Sequence, residues 1–143
     1  MKIREIMTRQ VETVSPDTPL KEAARMMRDA DIGFLPVGEN DRLVGTLTDR
    51  DIAVRAVADG RDPNNAKVRD AMSAGTEYVF EDQDTAEAAT IMSEKQIRRL
   101  PVVNRDKRLV GVVAIGDLAT RTDDDDMVGQ TIEDVSQPGK PKR

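Results

Sequence analysis

The chain has 143 residues, a net charge of −5, 38 % hydrophobic and 34 % charged residues, and neither cysteine nor histidine. That balance suits a globular fold with one core or two small lobes. Disulfides, thiolate nucleophiles and zinc–thiolate sites are excluded, and the commonest general base is missing, which lowers the expectation of catalysis.

The acidic balance argues against a nucleic-acid partner, whose phosphates require a basic face. No apolar run reaches the roughly 20 residues of a bilayer span. Residues 1–10 are too polar for a secretory signal. The expectation is a cytoplasmic protein without membrane insertion.

The predicted elements come in two matching sets. Displaced by about 65 positions, IREIM (3–7) falls on VRDAM (68–72), EAARMM (22–27) on EAATIM (87–92), and IGFLPV (32–37) on IRRLPV (97–102). After one inserted residue, RLVGTLTDRDIAVR (42–55) falls on RLVGVVAIGDLATR (108–121). In chain order the first set opens with a short strand at VETVS (11–15). A helix follows, capped by Thr18 with Pro19 at its first position. Leu20, Ala23, Ala24 and Met27 form its apolar face. Strands at 34–38 and 42–47 flank the turn Glu39-Asn40-Asp41, and a closing helix starts near Asp49.

DGRDPNNA (59–66) reads as a linker. The second set has a strand at EYVF (77–80) and a helix with Asp84 and Glu87 as a capping box. Its apolar face is Thr85, Ala88, Ala89 and Met92. Strands at 99–103 and 108–113 surround Asn104-Arg105-Asp106-Lys107, and a helix starts near Ile115. Past Arg121 the pattern stops. TDDDD (122–126) and SQPGKPKR (136–143) read as solvated, with an ordered piece at MVGQTIEDV (127–135). The expected division is domain 1 over 1–60, linker 61–67, domain 2 over 68–121, and an acidic, largely flexible tail over 122–143. The fold class is α/β (α+β), two β-α-β-β-α units packed sheet to sheet about a pseudo-twofold axis.

Two places carry candidate chemistry. Thr48 and Asp51 sit at a strand-to-helix junction, where they fit a capping box or a ligand with vicinal hydroxyls equally well. The second copy has Ala114 in place of the threonine yet keeps Asp117, which favours a separate task for the aspartate. Arg98 and Arg99 form either an ordinary exposed basic pair or a phosphate contact, with Arg50 a further phosphate candidate. The paired methionines at 26–27 and 91–92 read as core filler.

The motifs EAARMM…IGFLPV…RLVGTLTDRD and EAATIM…IRRLPV…RLVGVVAIGD strongly resemble a tandem of cystathionine-β-synthase (CBS) domains, a Bateman module, over residues 3–121. TDRD resembles the regulatory module of IMP dehydrogenases. DIGFLPV through DGRDPN is similar to stand-alone CBS pairs of the hypoxic-response type. The resemblance implies a sensor rather than an enzyme, binding AMP, ADP, ATP, NAD or S-adenosylmethionine in clefts between the domains, with no cofactor required. It puts Asp117, Arg98 and Arg99 with Thr18, Ala23 and Ile32 in one cleft. Thr48, Asp51 and Arg50 go with Gln83, Ala88 and Ile97 in the other. It also implies a homodimer acting through a separate effector protein. The alternative is a dimeric scaffold that regulates a partner without nucleotide.

Overall fold

The computed structural model describes residues 1–138 and divides the chain into two compact units. One is Val11–Thr76; the other joins residues 1–10 to the chain from Glu77 onward. These boundaries differ from the division expected from the repeat, and the reason lies in two exchanged segments described below.

In the Val11–Thr76 unit the elements are α1 (Leu20–Ala30), β1 (Phe34–Glu39), β2 (Arg42–Thr48), α2 (Asp49–Ile52, continued by a π-helical stretch Ala53–Val57) and β3 (Ser73–Ala74). The sheet order is β1-β2-β3, all antiparallel. Asn40 and Asp41 both take positive φ (55° and 63°), as a two-residue hairpin between right-twisted strands requires. The strand expected at VETVS shrinks to one parallel bridge, Val14 with Val37. The chain turns at once after it: Ser15 N donates to Thr18 Oγ1 (3.0 Å) and Thr18 N to Ser15 O (3.1 Å). Pro19, not Thr18, is the N-cap of α1: its carbonyl accepts from Glu22 N (3.0 Å) and Ala23 N (3.2 Å).

The second unit holds β4 (Val79–Phe80), α3 (Thr85–Lys95), β5 (Arg99–Val103), β6 (Leu109–Ala114), α4 (Ile115–Arg121) and α5 (Asp125–Val135). Its sheet runs β4-β5-β6, with β4 parallel to β5 and β5 antiparallel to β6. Asp84 caps α3 by accepting from Ala86 N (3.0 Å). The bond from Thr85 N goes to Met1 O (2.9 Å).

The segments that open the two repeats have changed places. Ser73, following VRDAM, pairs with Thr46 of β2, so the second repeat's opening segment completes the first unit. Thr8, following IREIM, pairs with Val112 of β6 through two bonds of 2.9 and 3.0 Å. This explains the glycine kept in both LVG motifs. A Cβ on Gly45 would lie 2.5 Å from Ser73 O, and one on Gly111 would lie 2.6 Å from Thr8 O. Neither strand admits a side chain there, because another backbone occupies the space.

The ordered piece expected at 127–135 is the helix α5, which starts two residues earlier, at Asp125, inside the acidic run. In α5, Val128, Thr131 and Val135 are buried, and α5 packs on α3. Asp124 caps it by accepting from Met127 N (3.0 Å). Of the stretch 136–143, residues 139–143 lie outside the described residues. The helix also accounts for a difference between the apolar faces. Ala89 on α3 is buried, whereas its counterpart Ala24 on α1 is exposed, since the Val11–Thr76 unit has no element in the place of α5.

Candidate functional site

Each unit builds the same junction from a strand end, a helix start and the residue before the neighbouring strand. In the first, Phe34 of β1 pairs with Thr48 of β2, and Asp49 N donates to Gly33 O at 3.0 Å. In the second, Arg99 pairs with Ala114, and Ile115 N donates to Arg98 O at 2.9 Å. The backbone frames match; the side chains mounted on them do not.

Thr48 and Asp51 form a complete capping box. Asp51 N donates to Thr48 Oγ1 and Thr48 N donates to Asp51 Oδ2, both at 3.0 Å, with Asp51 only 2 % exposed. In the second unit the hydroxyl is gone but the return bond remains: Ala114 N donates to Asp117 Oδ2 at 2.8 Å. The survival of Asp117 therefore has a structural component, and the inference of a wholly separate task from the loss of threonine is weaker than the residues alone suggested. The two aspartates share a second partner. Asp51 Oδ1 lies 3.9 Å from Arg55 Nη1, and Asp117 Oδ1 lies 3.9 Å from Arg121 Nε.

Arg55 and Arg121 are the residues that sequence reasoning passed over. Arg55 Nη1 donates to Ala71 O (3.2 Å), Met72 O (3.1 Å) and Ser73 Oγ (3.1 Å). Arg121 Nη1 donates to Ile6 O at 3.2 Å. Each arginine thus ties an exchanged segment to the junction aspartate. The signal was the shared spacing in RDIAVR and GDLATR, an aspartate four residues before an arginine on one helical face.

Arg50, Arg98 and Arg99 are exposed, with Arg98 and Arg99 at the entrance to β5. Thr18 and Gln83 are matched turn-makers. Ser15 N donates to Thr18 Oγ1 (3.0 Å) and Phe80 N to Gln83 Oε1 (2.8 Å). Their carbonyls accept from Val68 N and Ile3 N, both at 2.9 Å, anchoring the exchanged segments again. Beside Gln83, Asp82 is gripped at both oxygens by Arg105 (2.7 and 2.9 Å), whose guanidinium also lies over the Phe80 ring at 4.2 Å. The Arg105 hydrogen bond holds the Asp82 carboxyl below its ordinary value. Ala23 and Ala88 are fully buried in their own units' cores, so neither offers side-chain surface to a ligand. Ile97 is buried and Ile32 half-buried. An open cavity of about 470 Å³ is lined by Met1, Asp84, Thr85, Thr122, Asp123 and Met127 rather than by Asp51, Arg98, Arg99 or Asp117.

The description "CBS domain" matches residues 3–57 and 68–124, once per repeat. The chain belongs to the CBS domain family. It is 40 % identical over 134 residues to the CBS domain-containing protein YhcV of Bacillus subtilis, covering 94 % of each chain. It is 42 % identical over 117 residues to hypoxic response protein 1 of Mycobacterium tuberculosis, covering 81 % of each. The match to inosine-5′-monophosphate dehydrogenase of Methanocaldococcus jannaschii is 36 % identical over 84 % of this CBS chain but only 23 % of that enzyme. Among solved structures, a hypoxic response protein with two coordinated zinc ions is 41 % identical, with a TM-score of 0.78 over 85 % of this chain and 99 % of that one. The CBS domain pair of protein MJ0100, in complex with 5′-methylthioadenosine and S-adenosyl-L-methionine, is 27 % identical, with a TM-score of 0.74 over 83 % of this chain and 97 % of that one. These neighbours bear out the α+β CBS-pair architecture. Among the described residues no helix is long and apolar enough to cross a membrane.

Proposed function

We propose that this chain is a regulatory module that binds an adenosine-containing ligand: AMP, ADP, ATP, NAD or S-adenosylmethionine. The observation that carries the reading is the repeated junction, with a carboxylate at Asp51 and at Asp117 and an arginine pair at Arg98 and Arg99 on one copy. Carboxylates suit ribose hydroxyls and guanidinium groups suit phosphate. The adenosine ligands of the MJ0100 CBS pair support it. Thr48 completes the ribose assignment at Asp51, and Arg50 is the exposed guanidinium beside it. Thr18, Ile32, Gln83 and Ile97 are the base contacts retained from the resemblance, while the burial of Ala23 and Ala88 argues against them.

The zinc of the hypoxic-response neighbour does not transfer. Its preferred thiolate and imidazole ligands are absent from this sequence, and among the described residues no three acidic ligands converge. On this reading the protein is a cytoplasmic homodimer without catalytic residues, and ligand occupancy alters its affinity for a separate effector.

A scaffold that regulates a partner without nucleotide is the second reading. It is favoured by the engagement of both junction carboxylates in capping. Thermal denaturation with the five ligands and a GTP control separates the two. A ligand at about 100 times its Kd stabilises the folded state by about 2.7 kcal/mol. A selective, saturable rise in Tm for an adenosine compound is expected. No rise for any of them at millimolar concentration selects the scaffold.

A further inference from the structure

We propose that the two junctions sort ligands by charge. The Arg98–Asp117 junction takes a 5′-phosphorylated adenosine. The Gly33–Asp51 junction takes an adenosine derivative whose 5′ substituent is neutral or cationic, and Asp49 sets that specificity. This rests on the adenosine-ligand reading above.

The two backbone frames match residue for residue at the helix start. Gly33 and Arg98 occupy the same backbone position, each accepting from the first helical N–H. Asp49 and Ile115 are those first helical residues. A Cβ built on Gly33 would lie 2.7 Å from Asp49 Oδ2 and 3.0 Å from Asp49 Cγ. The Asp49 carboxylate therefore fills the volume from which the Arg98 side chain rises in the other unit. Glycine admits a negative charge where the repeat carries a positive one.

The rest of each frame deepens the contrast. One junction has Arg98, Arg99 and Asp117, with the uncharged Ala114, Ile115 and Gly116 between strand and aspartate. The other has Asp49, Arg50 and Asp51 beside the uncharged Gly33, Phe34 and Thr48. Asp49 Oδ1 accepts from Arg50 N at 2.9 Å, which orients the carboxylate without neutralising it. Arg55 beyond it is committed to Ala71, Met72 and Ser73. A phosphate monoester carries a charge near −2 at neutral pH and meets a like charge at Asp49. A thioether avoids that repulsion, and a sulfonium is attracted.

The test is calorimetric titration of the full chain with AMP, with S-adenosylmethionine, and with S-adenosylmethionine added to AMP-saturated protein. Wild type, Asp49→Asn, Asp49→Ile and the double variant Arg98→Ala/Arg99→Ala are compared after circular dichroism shows each folded. Asp49→Asn keeps the shape and the Arg50 bond, so it stands in if Asp49→Ile fails to fold. We expect S-adenosylmethionine to bind AMP-saturated wild type with undiminished affinity. Neutralising Asp49 should open a second AMP site with roughly tenfold tighter binding, the scale of one like charge removed. The arginine double variant should lose AMP and keep S-adenosylmethionine. Competition between the two ligands in wild type, or unchanged AMP binding in both Asp49 variants, overturns the charge-sorting proposal while leaving adenosine binding intact. Absence of binding by either ligand overturns the adenosine reading and the proposal with it.

Discussion

Gly111→Ala tests the segment exchange at its tightest point. The new methyl would stand 2.6 Å from Thr8 O and 2.9 Å from Met7 Sδ. Thr8 O is the acceptor for Val112 N at 3.0 Å, so relieving the clash pushes the opening segment off β6. Overpacking of this kind costs about 1–3 kcal/mol, and losing the paired Thr8–Val112 bonds adds about 1 kcal/mol each. We therefore expect a loss of about 3–5 kcal/mol, roughly a 10–15 °C fall in Tm for a chain of this size. Gly45→Ala, blocked by Ser73 O at 2.5 Å, should behave alike. Gly129→Ala in α5 is the control. Nothing lies within 4 Å of its Cβ, and replacing a helical glycine should stabilise by about 0.5–1 kcal/mol. Thermal and urea denaturation followed by circular dichroism read all three. A Gly111→Ala protein melting within a degree of wild type would refute the account of the exchanged segments.

Other expectations follow from the packing and the ion pairs. Val128→Ala, on the buried face of α5, should cost about 2 kcal/mol by denaturant titration. Thr48→Ala should lose about 1 kcal/mol, since it converts the first junction into the Ala114 arrangement already present in the second. The hydrogen bond from Arg105 holds the folded-state pKa of Asp82 below the ordinary carboxylate value. Its contribution is complete above the unfolded value and is lost as pH falls through the folded one. Asp82→Asn should therefore lower Tm at neutral pH and flatten the decline of Tm in acid.

Much of this architecture is legible in the residues. The repeat, the hairpin turns and the helix starts at Asp49 and Ile115 follow from periodicity and turn chemistry. The exchange of opening segments is not, because IREIM and VRDAM are nearly the same phrase and pattern cannot say which sheet each joins. The pairing of Ser73 with Thr46 and of Thr8 with Val112, with the backbone bonds around them, decides it. Ala24 and Ala89 likewise carry the same helical period, yet only Ala89 lies on a helix that α5 packs against. Residues 11–15 have strand composition, but Pro16 and the Ser15–Thr18 turn end the segment after a single bridge. At the junction, the positions of Asp51 and Asp117 are evident from sequence; that Asp117 still reaches Ala114 N is a fact of geometry.

The most direct test of the central claim is titration calorimetry of wild type against Asp117→Ala with AMP, alongside their melting curves. The account predicts saturable binding by wild type, at least tenfold weaker binding by the variant, and a Tm lowered by no more than the few degrees expected for one lost capping bond of about 1 kcal/mol. Equal AMP affinity in the two proteins would contradict the assignment of Asp117 to the ligand. No AMP, ADP, ATP, NAD or S-adenosylmethionine binding by wild type would contradict the adenosine-binding function itself.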